Sequence, residues 1–211
     1  MNQECIFCRK FGTPMTSCVE SPKQECDTIL IETQQFIVAP ALGPLAEGHV
    51  LIITKAHVYS MGELSEYAFN EFISLKSKVQ RVLVQTYGSA TLFEHGSTPV
   101  VEAGASVNHA HCHAMPLNFD LAYEVSKHFN GENISDLSVL RSKAAISKPY
   151  LFVENNQQEL EVFDAPINLP SQYLRRLIAT KLGAPTEWNW RTHPAFERVT
   201  STVAKLRGSG L

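Results

Sequence analysis

Three histidines at every second position, His109, His111 and His113 in the stretch NHAHCHAMP at residues 108–116, are the side chains best equipped for chemistry in this chain. A β-strand turns alternate side chains to one face, so this spacing predicts a single row of imidazoles. Neutral imidazole attacks, carries protons and ligates metals near neutral pH, and three together sit badly in an apolar core. The intervening Ala110, Cys112 and Ala114 are small and apolar. That contrast predicts a strand with one face packed on the protein and the other lining a polar site, ended by Pro116. The plainer alternative is three surface histidines on an edge strand. A second candidate is the pair Cys5 and Cys8, whose spacing is that of half a zinc knuckle. A structural zinc needs four ligands, so two would have to come from elsewhere; otherwise these are ordinary buried cysteines.

The elements that must position these residues can be read from their patterning. TILIE and FIVAP predict two strands of a hairpin, and HVLIIT a buried strand after the glycine- and proline-containing loop ALGPLAEG. Leu64, Ala68, Phe72, Leu75, Val79 and Leu83 recur at helical steps, with Glu66, Glu71, Lys76 and Lys78 off that stripe; Gly88 ends the helix. ATLFEHG predicts a strand, and STPVVEAGAS a loop into the histidine strand whose GAS segment offers backbone N–H groups to a phosphate. Strands interrupted by one long helix indicate an antiparallel α+β domain. Beyond residue 118 the character changes. LAYEVSKHF and SVLRSKAAI read as short helices separated by a turn-rich, mobile NGENISD, and YLFVE and ELEVF as a hairpin. SQYLRRLIATKLG reads as a helix capped by Ser171 and stopped by Gly183, and the last segment, with both tryptophans, as a terminal helix. The expected division is therefore residues 1–118 for a site-bearing domain and 119–211 for a small α/β extension packed on it.

Bulk properties narrow the functions. The 211 residues carry a net charge of −3, which gives no basic footprint for nucleic acid and makes any phosphate site local. No stretch approaches a membrane span, and the polar start MNQECIFCRK lacks a signal-peptide core, which predicts a cytoplasmic protein with no membrane partner. Five cysteines, an odd number, fit reduced thiols or a metal site better than a disulfide framework. Carboxylate pairs suited to a two-metal nuclease are not evident. Arg175 and Arg176 could hold a phosphate bidentately, but a solvated helix face with Leu174, Leu177 and Ile178 packed inward is the plainer reading. His49, His95, His128 and His193 read as structural or surface groups, with His95 nearest the expected site. Cys18 and Cys26 read as carrying no chemistry.

The triad with Ala110, Cys112, Ala114 and Met115 at its apolar places, the stretch GHVLIITKAHVYSMGEL at 48–64, and the N-terminal ECIFC together resemble the histidine triad (HIT) superfamily over roughly residues 4–118. The tail, with FIVAPALGPLAEGHVLI, resembles the C-terminal region of CwfJ-like proteins, a HIT-related branch linked to RNA processing. The resemblance implies a HIT-like antiparallel sheet with one long helix. It implies a nucleotidyl hydrolase or transferase acting on a nucleoside phosphoramidate or (di)nucleoside polyphosphate, with His111 as nucleophile, His113 donating to phosphate oxygens, His109 completing the triad and Ser106 near the leaving group. It also implies a structural zinc on Cys5, Cys8, His57 and His109, no organic cofactor, and a homodimer. The other class of function it leaves open is a zinc-stabilised nucleotide- or RNA-end-binding module with a vestigial triad.

Two positions depart from the pattern. Ala41 stands where compact relatives commonly carry a ribose-binding acid, and Glu94 where an asparagine is common. A carboxylate there repels phosphate unless protonated or paired, so Glu94 is expected to face an acceptor, a sugar or His95. His113 stands where uridylyltransferase-like relatives have glutamine, which favours hydrolase or adenylyl-type chemistry.

Overall fold

The computed structural model describes residues 5–11 and 28–209. Cys18 and Cys26 lie outside them. Among the described residues the chain forms one eight-stranded antiparallel sheet, so the α+β expectation stands. The strands are β1 (Ile31–Glu32), β2 (Phe36–Pro40), β3 (Val50–Thr54), β4 (Thr91–Gly96), β5 (His111–Met115), β6 (Gly131–Ile134), β7 (Tyr150–Glu154) and β8 (Leu160–Asp164), in the order β1-β2-β3-β5-β4-β7-β8-β6. The histidine strand β5 is therefore central, paired with β3 through His111 opposite Ile53 and with β4 through His113 opposite Phe93. The sheet crosses residue 118 without interruption, because β7 pairs with β4 along its length from Leu92–Glu154 to Gly96–Tyr150. NGENISD is a correction: its residues Gly131–Ile134 form strand β6, paired with β8 at the edge of the sheet.

One face of the sheet is covered by the long helix α2 (Glu66–Tyr87). Its buried stripe Ala68, Phe72, Leu75, Val79 and Leu83 meets Leu92, Cys112 and Ala114, the side of β4 and β5 opposite the histidines. Ser65 Oγ accepts from Ala68 N–H at the start of α2, and Gly88 ends it at φ 84°, a conformation glycine adopts without Cβ strain. Lys76 departs from its expected exposure. It is buried, and its Nζ lies 2.8 Å from Glu154 Oε1 and 2.7 Å from Oε2.

The other face carries a second core in which Phe93, Met115, Leu151 and Val153 pack under α3 (Leu121–Ser126) and α5 (Tyr173–Lys181). Helix α5 begins one residue later than its sequence suggests. Its N-cap is Gln172, held in the left-handed region at φ 60°, and Ser171 makes no cap hydrogen bond. The final helix, α6 (Phe196–Arg207), is tied to the start of β3 by Gly48 N–H donating to Thr202 Oγ1 at 2.9 Å. The tail also closes over the loop before β3: a Cβ at Gly43, itself at φ 62°, would lie 2.6 Å from the Trp190 backbone and 2.7 Å from His193 O.

Candidate active site and metal centre

The β5 register places the rings of His111 and His113 in one cleft. One wall is apolar: Ala39, Ala41, Leu51 and Ile53 from β2, β3 and the following loop, with Phe7 and Phe11 from α1 (Ile6–Phe11). The polar part of the lining, besides the two triad histidines, includes His95, Gln172, Arg175, Ser106 and Trp190. Among the described residues the cleft is lined by two cations, Lys10 and Arg175, and by no carboxylate.

Hydrogen-bond partners fix which ring nitrogen carries each proton. His111 Nδ1 lies 2.7 Å from the His109 carbonyl, which can only accept, so Nδ1 bears the proton and Nε2 presents a bare lone pair. Burial pushes the His111 pKa down to about 4, keeping the ring neutral. Phe7 packs edge-on at 5.2 Å between ring centroids. His113 is set by His49. Leu45 N–H donates to His49 Nδ1 at 3.3 Å, so the His49 proton is on Nε2, which donates to His113 Nδ1 at 2.9 Å. The remaining His113 proton is then on Nε2. Phe93 stacks on the His113 ring at 4.5 Å and 5°, holding its plane. Burial holds His49 and His113 well below the ordinary imidazole pKa, so both are neutral donors.

His49 is thus the residue that sequence reasoning placed too far from the chemistry. Its alternation with Leu51 and Ile53 is legible in the sequence, but that these face the side of the triad follows from the β3–β5 pairing. His95 also lines the cleft, where burial lowers its pKa to about 3; its Nε2 accepts from Leu174 N–H at 3.2 Å and so caps the first turn of α5. Ser106 Oγ accepts from Trp190 Nε1 at 2.9 Å, which leaves its own proton to donate. Arg175 is a correction to the solvated-face reading. It is 3% exposed, with Nη2 donating to Gly43 O at 2.6 Å and Nε to Trp188 O at 2.9 Å. Arg176 stacks on Trp188 at 3.3 Å. Glu94 is a second correction. It points away from the histidines toward α2, accepting from Met61 N–H at 2.7 Å and Tyr150 O–H at 2.8 Å, because alternate residues of β4 face opposite ways.

The first triad histidine turns to a different task. Cys5, Cys8, His57 and His109 bring their ligand atoms within 4.8 Å of one another, and this group could hold a metal ion. Sulfur–nitrogen separations are 3.4 Å from Cys5 and 3.6 Å from Cys8 to His109 Nδ1, and 3.3 Å from Cys8 to His57 Nδ1. The edge of a tetrahedral thiolate–imidazole zinc site is roughly 3.6 Å. His109 Nε2–H donates to Thr54 O at 2.7 Å, which leaves Nδ1 as the free ligand atom, the usual arrangement behind a metal-bound histidine. The donor set and its spacing fit a metal.

Residues 22–120 match the HIT domain family model. The match spans the triad and His57; it includes neither Cys5 and Cys8 nor the tail, so the expected CwfJ-like resemblance of the tail finds no support in it. Solved structures similar to the chain include a hypothetical protein from Leishmania major, at 24% identity over 57% of this chain and 77% of that one, with a TM-score of 0.43. A HIT-family member from Bacillus subtilis has 20% identity over 54% and 73%, with a TM-score of 0.42. The yeast Ap4A phosphorylase Apa2 in complex with AMP has 14% identity over 67% and 61%, with a TM-score of 0.42. No curated protein matches the chain. Among the described residues, no helix is long and apolar enough to cross a membrane.

Proposed function

We propose that the HIT-domain chain is a nucleotidyl hydrolase or transferase that cleaves a nucleoside phosphoramidate or a (di)nucleoside polyphosphate through a nucleotidyl-His111 intermediate. The observation that carries this reading is the pair of opposite tautomers in one cleft, a bare Nε2 on His111 beside a protonated Nε2 on His113. His111 Nε2 attacks the α-phosphorus; an N–P bond forms as the bond to the leaving group breaks, and the leaving group departs with the electron pair, a polyphosphate as the anion and a phosphoramidate nitrogen as the amine after taking a proton from solvent. His113 Nε2–H and the Ser106 hydroxyl donate to the oxygens on which charge builds. In the second step water or another acceptor attacks phosphorus, and the N–P electron pair returns to His111. Splitting one displacement into two is the logic of covalent catalysis. The apolar wall of Phe7, Phe11, Leu51 and Ile53 suits a flat base, and with Ala41 in that wall ribose recognition does not use a carboxylate there.

Zinc on Cys5, Cys8, His57 and His109 would tie α1 to the strand that carries His111, a structural role. The resemblance favours a homodimer, which light scattering at working concentration tests: a monomer refutes it. The enzyme reading is tested by intact-protein mass spectrometry after mixing with adenosine phosphoramidate or a diadenosine polyphosphate. A nucleotidyl adduct that disappears in His111→Ala is expected. Nucleotide binding with neither adduct nor product would instead support the binding module.

A further inference from the structure

Two buried polar side chains in the cleft have valences that no other described residue uses. A guanidinium carries five N–H donors, and Arg175 spends one from Nε on Trp188 O and one from Nη2 on Gly43 O. Among the described residues, its remaining donors have no acceptor. One α5 turn earlier, Gln172 is 3% exposed, lines the same cleft, and finds no donor for its Oε1 among the described residues. Both are held firmly: Arg175 by two carbonyls, Gln172 by its N–H donating to Gly104 O at 2.5 Å. The cleft has no carboxylate among its described residues to answer the Arg175 charge. An unpaired buried guanidinium is costly unless a ligand supplies the anion.

We propose that Arg175 and Gln172 form an anion subsite, in the cleft that His111 also lines, that holds a phosphate group beyond the reacting one. The Arg175 N–H groups take the phosphate oxygens and Gln172 Oε1 accepts a hydroxyl of the ligand. The shared chemistry is a phosphate oxyanion, supplied either by the leaving group of a nucleoside polyphosphate or by free orthophosphate acting as acceptor. In the second case an anionic oxygen of orthophosphate attacks the nucleotidyl phosphorus, a P–O bond forms, the N–P pair returns to His111, and the product is a nucleoside diphosphate. The role of the bound phosphate in the reaction rests on the nucleotidyl-His111 reading; the subsite itself does not.

The test is calorimetric titration of the full chain with pyrophosphate and orthophosphate, alongside kinetics with a diadenosine polyphosphate and with adenosine phosphoramidate, whose leaving group has no phosphate. Arg175→Met and Gln172→Glu are each expected to weaken pyrophosphate binding at least 10-fold. They are expected to lower the ratio of kcat/KM for polyphosphate over phosphoramidate at least 10-fold. Gln172→Glu leaves the Arg175 tethers in place, so it decides the matter if Arg175→Met does not fold. Orthophosphate added to the phosphoramidate reaction separates the sources: a nucleoside diphosphate product identifies the acceptor, and nucleoside monophosphate alone identifies the leaving group. Unchanged pyrophosphate affinity and an unchanged ratio in folded Gln172→Glu overturn the subsite. Arg175-dependent pyrophosphate binding without any nucleotidyl adduct keeps the subsite and overturns the nucleophile.

Discussion

Strands β4, β5 and β7 carry ionisable groups on both faces, and the two faces treat them differently. Toward α2, Glu94 accepts from Met61 N–H and Tyr150 O–H, and Glu154 sits on Lys76, so the buried charges are answered within the protein. Toward the cleft, among the described residues, His111 keeps a bare nitrogen, His113 a free N–H, Arg175 unspent donors and Gln172 an unpartnered oxygen. Burial alone does not mark a functional group. What separates the faces is that the ionisable groups of one are paired within the protein, whereas the other turns unpaired donors and acceptors into a cleft, where binding or catalysis can use them.

Removing the bare nitrogen should break the cleft face most severely: His111→Ala is expected to lower turnover on the order of 10³-fold or more, measured as released nucleotide, with little change in melting temperature. The Cys5, Cys8, His57 and His109 group, which could hold a metal ion, comes next. Cys8→Ser, or a strong chelator, should release bound metal in elemental analysis and lower the melting temperature by several degrees or more, since a metal held by four side chains stabilises only the folded state. Replacing His49 by Phe removes the donor that sets the His113 proton. A fall in kcat of roughly 10- to 100-fold is expected, with KM less affected, and His49→Gln, which can still donate an amide N–H, should recover part of it.

The α2 face should respond in stability. Burial pushes the Glu94 pKa up to about 7, so between about pH 4.5 and 7 the folded state binds a proton that the unfolded chain does not. Its contribution is therefore greatest below pH 4.5 and is lost as pH rises through 7, amounting to about 3 kcal/mol by linkage. Glu94→Gln should flatten that part of the stability-against-pH curve in denaturant titrations while altering nucleotide turnover far less than His49→Phe. Smaller still in reach is Gly96, where a Cβ would run into the Tyr150 ring; Gly96→Ala should lower the melting temperature and displace the Tyr150–Glu94 hydrogen bond.

The central strands, the α2 stripe, the histidine row and the Cys5–Cys8 pair were legible because period-two and period-3.6 patterns and residue spacing are local properties; His57 and His109 as partners of that pair came only from the family resemblance. The rest depended on tertiary register. Nothing in LFEHG alone says which face Glu94 takes; that follows from Phe93 pairing opposite His113. Gly131–Ile134 looked like a loop because its residues are polar and exposed, yet its backbone pairs with β8 at the sheet edge. The Arg175 stripe position looked solvated because the helix pattern does not reveal that the 41–46 loop and Trp188 fold over it. His49 was a lone histidine in an apolar run, and only the β3–β5 pairing puts it 2.9 Å from His113.

The most direct test of the account is a two-bond ¹⁵N–¹H correlation of the histidine rings at pH 7, with His49, His111 and His113 assigned by substitution. The account predicts neutral rings throughout, the proton on Nδ1 in His111 and on Nε2 in His49 and His113. A proton on His111 Nε2, or an imidazolium at that position, would contradict it, because the cleft would then present no bare nitrogen to attack phosphorus.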